Sequence, residues 1–319
     1  MRIGLLSASR ISVPALIEPA AGNDRVELAA VGARTPEAAE KFATDHGIPR
    51  AYASYAELIA DETLDAIYVS NPASLHASWA IAALEAGKQV LCEKPLAGNA
   101  DDAGRMVETA ASAGRVLMEA FHWRFHPFAD RMIEMVTALD RPITIDTEFS
   151  VPRVPEGDIR HQLALGGGAL MDLGCYPVHW VRSILGEPSS IEAEMEVAAP
   201  SVDSVTRAIL GFSDGSTAYL RASMADDRVV RRLDATGGNG SVTAINPVSP
   251  HTGNRLSWDI DGLTGVEEVP GPTTYQAQLD NFVGAAAGDE PQLVTGQDSV
   301  ANMAVIDAMY RGAGLGPRP

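Results

Sequence analysis

Alternating strand and helix signals fill the first 120 residues, and this alternation constrains the fold more than any other feature of the chain. Segments with helix-capping residues separate the short apolar runs, as in Pro36–His46 after Thr35 and in Ala100–Ala113 before Gly114. The predicted strands are Arg2–Leu6, Val26–Ala33, Ala66–Ser70, Gln89–Cys92 and Val116–Ala120. This spacing predicts a doubly wound parallel sheet, in which the carboxyl ends of the strands line a ligand crevice.

The pattern changes after Phe121. Two helical segments, Pro127–Ala138 and Ala169–Leu185, precede a run of strands that are separated by glycine-containing turns. A chain of 319 residues is also too long for one compact core. We therefore predict an α/β protein with a dinucleotide-binding domain over residues 1–121. An α+β domain with a large, mostly antiparallel open sheet follows over residues 122–319, and we expect its tail, residues 312–319, to be disordered.

The charge balance excludes several classes of partner. Lys and Arg number 24 against 42 Asp and Glu, which gives a net charge of −18 and argues against nucleic-acid or anionic membrane partners. Cys92 and Cys175 lie far apart, and His122 and His126 lack ligand spacing with acidic residues, so we expect neither a disulfide framework nor a metal. Without a signal peptide or an apolar stretch of about 18 residues, we expect a cytoplasmic protein.

The turn after the first strand is a candidate nucleotide site. Dinucleotide sites place glycines here so that backbone N–H groups reach the pyrophosphate. This chain has Ser7, Ala8, Ser9 and Arg10 instead, with the two serines in the glycine positions. Small residues still allow close approach and Arg10 adds a cation, although a strand followed by a polar turn explains the segment equally well.

The end of the second strand indicates which nicotinamide cofactor is bound. NAD sites usually carry an acidic residue here, whereas an arginine suits the 2′-phosphate of NADP. The chain has Arg34 and no acid at this point. We predict a preference for NADP(H), with NAD(H) possible. The alternative is that Arg34 is a solvated loop charge.

Two further strands end in polar residues followed by proline, Ser70-Asn71-Pro72 and Glu93-Lys94-Pro95. A lysine at the carboxyl end of a parallel strand faces the ligand crevice. Lys94 is therefore either an anchor for phosphate or substrate, or an acid/base group.

A polar stripe in the second half of the chain offers partners for Lys94. Asp172, Tyr176 and His179 stand at i, i+4 and i+7 within an apolar segment, so they share one helix face, although Pro177 kinks or restarts the helix. An exposed helix face is the alternative for Asp172 and Tyr176, and a core histidine for His179. Three residues shortly before this segment are explained equally well as substrate or phosphate contacts and as solvated loop residues, namely Arg153, Arg160 and His161.

Taken together, these segments resemble the Gfo/Idh/MocA oxidoreductase family, in particular the branch with glucose–fructose oxidoreductase, xylose dehydrogenases and dimeric dihydrodiol dehydrogenase. The matching motifs are Asn71-Pro72-x-x-x-His76, Glu93-Lys94-Pro95, the glycine-rich stretch Gly166–Gly174 with Tyr176, and Glu119–Phe125. They span both halves of the chain. The resemblance implies a Rossmann domain followed by a substrate-binding and oligomerisation domain.

The resemblance also implies roles for individual residues. Lys94 would be the catalytic or substrate-orienting lysine, Tyr176 the acid/base and Asp172 a ligand of a substrate hydroxyl. The residues that would line the cofactor site are Asn71, His76, Glu93 and Pro95, with Trp123 and Arg124 at its nicotinamide end. The Lys94–Pro95 bond is often cis in the family. His179 joins the expected substrate contacts through the polar stripe.

Chemistry supports the pairing of Lys94 with Tyr176. A tyrosine can exchange a proton with an alcohol or carbonyl oxygen if a nearby ammonium lowers its pKa from about 10. We therefore predict an NADP-dependent oxidoreductase that transfers a hydride to or from a sugar, polyol or dihydrodiol carbon. The alternatives are a glycosidase that retains its NAD(P) and a non-catalytic NADP(H)-binding regulator. The expected partners are a small polyhydroxylated substrate and a second subunit, as a homodimer or dimer of dimers through the C-terminal sheet.

Overall fold

The computed structural model describes residues 1–198 and 201–319, and it divides into two compact units. The first unit comprises Met1–Phe121 together with Tyr275–Val300, and the second comprises His122–Thr274 together with Ala301–Pro319. This differs from a second domain that runs unbroken over residues 122–319. The inserted segment belongs to the first unit because Asp280 accepts a hydrogen bond from Asn23 (2.8 Å) and Gln292 donates to the carbonyl of Leu117 (2.7 Å).

The first unit is built on a six-stranded, entirely parallel sheet with strand order β3-β2-β1-β4-β5-β6. Its strands are β1 (Arg2–Leu6), β2 (Glu27–Gly32), β3 (Ala51–Tyr52), β4 (Ala66–Val69), β5 (Gln89–Cys92) and β6 (Leu117–Glu119). The helices between them are α1 (Glu18–Ala21), α2 (Pro36–His46), α3 (Tyr55–Ile59), α4 (His76–Glu85) and α5 (Ala100–Ala113). The predicted doubly wound parallel sheet is confirmed, with β3 as an additional short edge strand.

Local capping explains why the long helices of this unit begin and end where the sequence predicts. The Thr35 side chain accepts a hydrogen bond from the amide of Ala38 and so caps α2, and Asn99 caps α5 through the amide of Asp102. Gly114 ends α5 with a φ of 62°, a left-handed conformation that costs glycine little.

The second unit contains an eight-stranded sheet with strand order β14-β13-β12-β11-β7-β10-β9-β8. Its strands are β7 (Thr144–Pro152), β8 (Ser190–Ala198), β9 (Val202–Gly211), β10 (Thr217–Asp226), β11 (Val230–Gly237), β12 (Gly240–Ile245), β13 (Arg255–Ile260) and β14 (Leu263–Glu267). Within the described residues of this second sheet, only the β7–β10 pair is parallel, so the mostly antiparallel open sheet is confirmed. The remaining helices of the chain are α6 (Pro127–Thr137), α7 (Cys175–Leu185), α8 (Thr274–Ala287) and α9 (Gly296–Gly312).

The prediction of a disordered tail is wrong. Arg318 is 3% exposed and forms an ion pair with Asp203 at 3.4 Å. Its guanidinium carbon also lies 3.8 Å from the centre of the Tyr310 ring. These contacts fix the tail although its glycines and prolines form no regular element.

Three of the sequence predictions concern the cysteines, membrane-spanning helices and metal ligands. Cys92 and Cys175 are both buried, and neither forms a disulfide bond within the described residues. Over residues 1–198 and 201–319, no helix has the length and apolar character that a membrane crossing needs. The same residues contain no cluster of three or more His, Cys, Asp or Glu side chains suited to a metal ion. The cytoplasmic location stays a prediction.

Candidate functional site

Three serine hydroxyls join the ends of β1 and β4 at the carboxyl edge of the parallel sheet. The hydroxyl of Ser9 lies 2.7 Å from that of Ser12 and 2.9 Å from that of Ser70, and Ser12 and Ser70 are 3.1 Å apart. These bonds hold the turn after β1 against the end of β4. Ser12 and Ser70 are buried, whereas Ser9 stays partly accessible.

Ser7 has the backbone conformation of the glycine it replaces. Its φ is 126°, in a region that side-chain-bearing residues rarely adopt, and its amide donates to the carbonyl of Gly32 (3.1 Å). The turn therefore has a glycine-like backbone path at Ser7 without a glycine. Ala8, next along the turn, is partly exposed.

His76 connects the loops after β4 and β5. Its Nε2 lies 2.7 Å from the carbonyl oxygen of Asn71, and its Nδ1 lies 3.0 Å from that of Pro95. The imidazole is 1% exposed, and burial lowers its pKa, with a further lowering by the charge of Lys94. His76 thus holds the two loops together through their backbone carbonyls. The peptide bond between Lys94 and Pro95 is cis, as the resemblance implies.

Glu93 and Lys94 differ in their accessibility. The Glu93 side chain is buried and accepts a hydrogen bond of 2.6 Å from the hydroxyl of Tyr68. Burial first, and then the charge of Glu93, raise the pKa of Tyr68 well above its usual value. Lys94 is partly exposed, so the ammonium remains within reach of a ligand while its neighbour fixes the backbone.

Two exposed arginines follow the first two strands. The side chains of Arg10 and Arg34 make no hydrogen bond or ion pair within the described part of the chain, whereas those of Arg2 and Arg50 in the same unit are paired with carboxylates. Unpaired guanidinium groups can form fork-shaped bonds to phosphate. Their positions suit the phosphates of a dinucleotide.

Asn71 provides a structural test of whether a cofactor fits here. The side chain is 7% exposed, and neither its Oδ1 nor its Nδ2 has a hydrogen-bond partner among the described residues. Buried amides are normally satisfied, and leaving one without partners costs free energy. A polar ligand at the carboxyl edge of the sheet would supply the missing partner, so the residues present fit a dinucleotide.

In the second unit, Asp172 and Tyr176 lie where a π-helical turn meets α7. The turn spans Leu170–Gly174 and α7 begins at Cys175, so Pro177 falls in the first turn of α7, where a proline is tolerated. The backbone stays helical across Gly174 and Cys175, so the helix changes from a π-helical to an α-helical turn here and does not restart. The Asp172 side chain is 24% exposed, whereas Tyr176 is 3% exposed.

The hydroxyl of Tyr176 is part of a buried hydrogen-bonded chain. It lies 3.0 Å from Nε2 of His122, whose Nδ1 lies 2.8 Å from the hydroxyl of Thr274. That hydroxyl is 3.3 Å from Nδ1 of His251. The imidazole of His122 therefore contacts the phenol oxygen that the sequence predicts to exchange protons.

His179 and Trp123 form a buried pair beside this chain. The indole N–H of Trp123 donates to Nδ1 of His179 at 3.0 Å, and both side chains are at most 1% exposed. This bond uses the acceptor nitrogen of His179. The neighbouring Arg124 forms an ion pair of 2.6 Å with Asp130.

Arg160 holds the carboxylate of Asp172. Its Nε lies 2.6 Å from Oδ2 of Asp172, and its Nη1 lies 3.1 Å from Oδ1 of Asp158. The charge of Asp172 raises the pKa of Arg160, against the opposing effect of burial. Of the two interpretations of Arg160, the structure favours a residue that orients the candidate substrate-binding carboxylate over a solvated loop charge.

Each unit thus brings part of the predicted site together. The first joins the serine turn, Asn71, His76 and the Glu93–Pro95 segment, and the second joins Asp172 with Tyr176. His122 and Thr274 were not predicted as functional. They lie 54 and 98 positions from Tyr176 in the sequence, and no local pattern marks a contact at that separation.

Family models match both units of the chain. A model described as an oxidoreductase family with an NAD-binding Rossmann fold matches residues 1–121, and one described as the GFO/IDH/MocA C-terminal domain matches residues 131–243.

Individual relatives match over most of their length. The chain is 35% identical over 321 residues to D-xylose 1-dehydrogenase (NADP(+)) 2 of Haloferax volcanii, covering 99% of this chain and 98% of the relative. It is 37% identical over 233 residues to trans-1,2-dihydrobenzene-1,2-diol dehydrogenase of Xenopus tropicalis, covering 69% and 68%. A crystal structure of a 3-ketoreductase from Actinomadura kijaniata, in complex with NADP and TDP-benzene, superimposes with a TM-score of 0.89 at 27% identity, covering 98% and 97%.

These matches confirm the resemblance seen in the motifs, the fold class, and the prediction of a dehydrogenase or reductase that uses a nicotinamide dinucleotide. The predicted cofactor agrees with the NADP(+) in one relative's name and with the NADP in the solved complex. The roles of single residues stay predictions.

Proposed function

Because the chain belongs to the Gfo/Idh/MocA oxidoreductase family, we propose that it transfers a hydride between NADP and a carbon of a sugar, polyol or dihydrodiol. In this proposal Lys94 and Tyr176 handle the substrate oxygen and Asp172 binds a neighbouring hydroxyl. When bound, the cofactor supplies or accepts the hydride. The remaining steps are proton transfers and hydrogen bonds made by the protein.

The hydrogen bond between Tyr176 and His122 carries the proposal. The phenol is almost fully buried, and its oxygen contacts an imidazole nitrogen at 3.0 Å. A partner that can both accept and return a proton suits a tyrosine that acts as an acid in one direction and as a base in the other. A tyrosine buried for packing alone needs only a fixed acceptor, such as a backbone carbonyl.

Lys94 contributes charge in this mechanism. A nearby ammonium stabilises a phenolate and also negative charge on the substrate oxygen, so it makes proton exchange easier near neutral pH. The segment around it is held by the contact of His76 with the carbonyl of Pro95 and by the buried side chain of Glu93. A lysine on such a fixed segment loses less conformational entropy when it meets a substrate.

Asp172 and Arg160 suit a substrate with several hydroxyl groups. The Asp172 carboxylate is fixed by Arg160 but remains partly exposed, so it can accept a hydrogen bond from a hydroxyl. A charge-assisted hydrogen bond of this kind is roughly twice as strong as one between neutral groups. This supports a polyhydroxylated substrate, in line with the sugar and dihydrodiol in the names of the two relatives.

Arg34 supports NADP over NAD. The guanidinium follows β2, is exposed, and makes no ion pair within the part of the chain that the structure describes. The 2′-phosphate of NADP would give it a dianionic partner that NAD lacks.

A panel assay tests the proposed function. The purified protein is incubated with NADP and, separately, with NAD in the presence of aldoses, polyols and trans-dihydrodiols, and the absorbance of the reduced cofactor is followed. We expect stoichiometric NADPH with at least one class. Cleavage of an aryl glycoside without net NADPH would instead indicate a glycosidase that retains its cofactor, and binding without turnover of any substrate would indicate a regulator.

We also propose that the outer face of the eight-stranded sheet pairs two subunits. Ile209 and Tyr219 lie opposite each other on β9 and β10 and are 41% and 45% exposed, which is high for large apolar side chains. Sedimentation of the purified protein should show a dimer or a dimer of dimers. Ile209→Glu with Tyr219→Glu should shift it towards the monomer, whereas a wild-type protein that sediments as a monomer would refute the pairing.

A further inference from the structure

The buried chain that begins at Tyr176 ends at the most accessible of its four side chains. Tyr176, His122 and Thr274 are 3%, 4% and 0% exposed, whereas His251 is only half-buried. The chain therefore connects a deeply buried phenol to a group nearer the surface. Each link joins a donor to an acceptor between 2.8 and 3.3 Å.

A backbone amide fixes the position of one proton at the His251 end of this chain. The amide of Thr274 can only donate, and it donates to Nδ1 of His251 at 3.3 Å, so that nitrogen carries a lone pair. Because that nitrogen can only accept, a hydrogen bond between it and the Thr274 hydroxyl has the hydroxyl as donor. In this arrangement the Thr274 oxygen accepts from Nδ1–H of His122, and in the neutral form of His122 its Nε2 accepts from the Tyr176 hydroxyl.

We propose that His122, Thr274 and His251 form a proton relay that serves Tyr176. The proposal rests on the acid/base role of Tyr176 in the proposed function. As an alcohol is oxidised, its proton passes to the Tyr176 oxygen while the phenol proton passes to Nε2 of His122. The Nδ1 proton of His122 then moves to the Thr274 oxygen, and the Thr274 proton moves to Nδ1 of His251.

The charges balance along the relay. One proton enters at Tyr176 and one is gained by His251, so the three inner groups are neutral before and after the transfer. His251 then loses a proton to solvent, and in the reduction direction every step reverses. The relay lets a phenol that is 3% exposed exchange protons with water without opening the site.

The surroundings of His251 keep it ready to accept. Burial lowers its pKa below the ordinary value, so it is neutral near pH 7. His126 faces it, and burial followed by the charge of His251 lowers the pKa of His126 as well. Tyr176 is the titratable group at the opposite end, and Arg124, on the turn that carries His122, is ion-paired with Asp130.

The first test measures tautomers and needs no turnover. The chain has seven histidines, so nitrogen-15 NMR of histidine-labelled protein can resolve them, with assignment by single His→Gln variants. We expect His122 to be protonated on Nδ1 and His251 on Nε2. A His122 that is protonated on Nε2 would overturn the relay, because its two bonds would then run in the opposite direction.

The second test removes the hydroxyl in the middle. Thr274→Val breaks two links with little change of volume, and Thr274→Ser restores them. We expect Thr274→Val to lower kcat by about a hundredfold with little change in the substrate KM, since this is the lower end of what proton transfer contributes. The limb of the kcat profile that reports protonation of His251 should disappear in Thr274→Val and return in Thr274→Ser.

Controls separate the relay from folding and from the proposed function. Thr137→Val, on the exposed face of α6, makes the same chemical change outside the site. His251→Gln provides a second break if Thr274→Val is poorly folded. If Thr274→Val and His251→Gln match Thr137→Val in kcat and pH profile while Tyr176→Phe is inactive, the relay is refuted and the proposed function stands. An active Tyr176→Phe would refute the proposed function itself.

Discussion

Removal of the Arg318 side chain should destabilise the second unit far more than its position near the end of the chain suggests. Arg318 and Asp203 are 2% and 0% exposed at their side chains, and the guanidinium also stacks on Tyr310. Breaking one partner out of a buried ion pair typically costs about 3 to 5 kcal/mol. Asp203 keeps three donors, the amide of Leu170 and the hydroxyls of Thr206 and Tyr310, which places Arg318→Ala near the lower end, at about 3 kcal/mol.

The assay is urea unfolding followed by circular dichroism, with Arg311→Ala as the matched control. Arg311 lies in the same tail region but is 61% exposed and 3.7 Å from its acidic partner, so its loss should cost less than about 1 kcal/mol. Arg318→Lys should recover only part of the stability, because an ammonium neither forks nor stacks as a guanidinium does. An Arg318→Ala protein within about 0.5 kcal/mol of wild type would refute the reasoning, since that is the range of ordinary surface substitutions.

Two other perturbations test the first unit. Arg34→Ala should raise the KM for NADP by about tenfold, equivalent to about 1.4 kcal/mol, and leave the KM for NAD nearly unchanged. Steady-state kinetics measures both constants, with Lys41→Ala as the control. An unchanged KM for NADP in Arg34→Ala would mean that Arg34 is a solvated charge. The side chain of Asp61 is only 6% exposed, and this desolvation alone would raise its pKa, but hydrogen bonds from Thr63 and Tyr52 and the charge of Arg50 lower that pKa from 3.8 to about 2. Because the folded pKa lies below the unfolded one, the wild-type protein should lose about 1 to 2 kcal/mol as the pH falls from about 4 to 2. The free energy of unfolding of the Asp61→Asn variant should lack this pH-dependent loss. An equal dependence of stability on pH in the wild type and the variant would contradict the prediction.

Local signals explain why most of the fold could be predicted. Caps such as Thr35 and Asn99 and the glycine after α5 lie within a few residues of what they terminate, so the sequence alone reveals them. The two-residue strand Ala51–Tyr52 was missed because its pattern is too short to recognise.

Long-range contacts explain what could not be predicted. The tail is rich in glycine and proline, and only the packing of Arg318 against Asp203, 115 positions earlier, shows that it is ordered. The grouping of residues 275–300 with the first unit depends in the same way on contacts to Asn23 and Leu117.

The candidate site likewise contains residues that local motifs mark and residues that only long-range contacts bring together. Lys94, Asp172 and Tyr176 stand in compact motifs, so sequence spacing was enough to select them. The contact of His122 with Thr274 spans 152 positions and joins a histidine to a helix-terminal threonine, neither of which carries a local signature. Only folding brings such a relay together, and a threonine in the first turn of α8 would otherwise be interpreted as a helix cap.

The central claim is direct hydride transfer to a nicotinamide cofactor with Tyr176 and Lys94 at the substrate oxygen. It is tested most directly with an active substrate from the panel that carries deuterium on the reacting carbon, by mass spectrometry of the reduced cofactor. We predict one deuterium in NADPH for each substrate oxidised, and a rate at least about a hundredfold lower in Tyr176→Phe and Lys94→Ala. Substrate consumption with the cofactor left oxidised, deuterium lost to water, or wild-type rates in both variants would contradict the account.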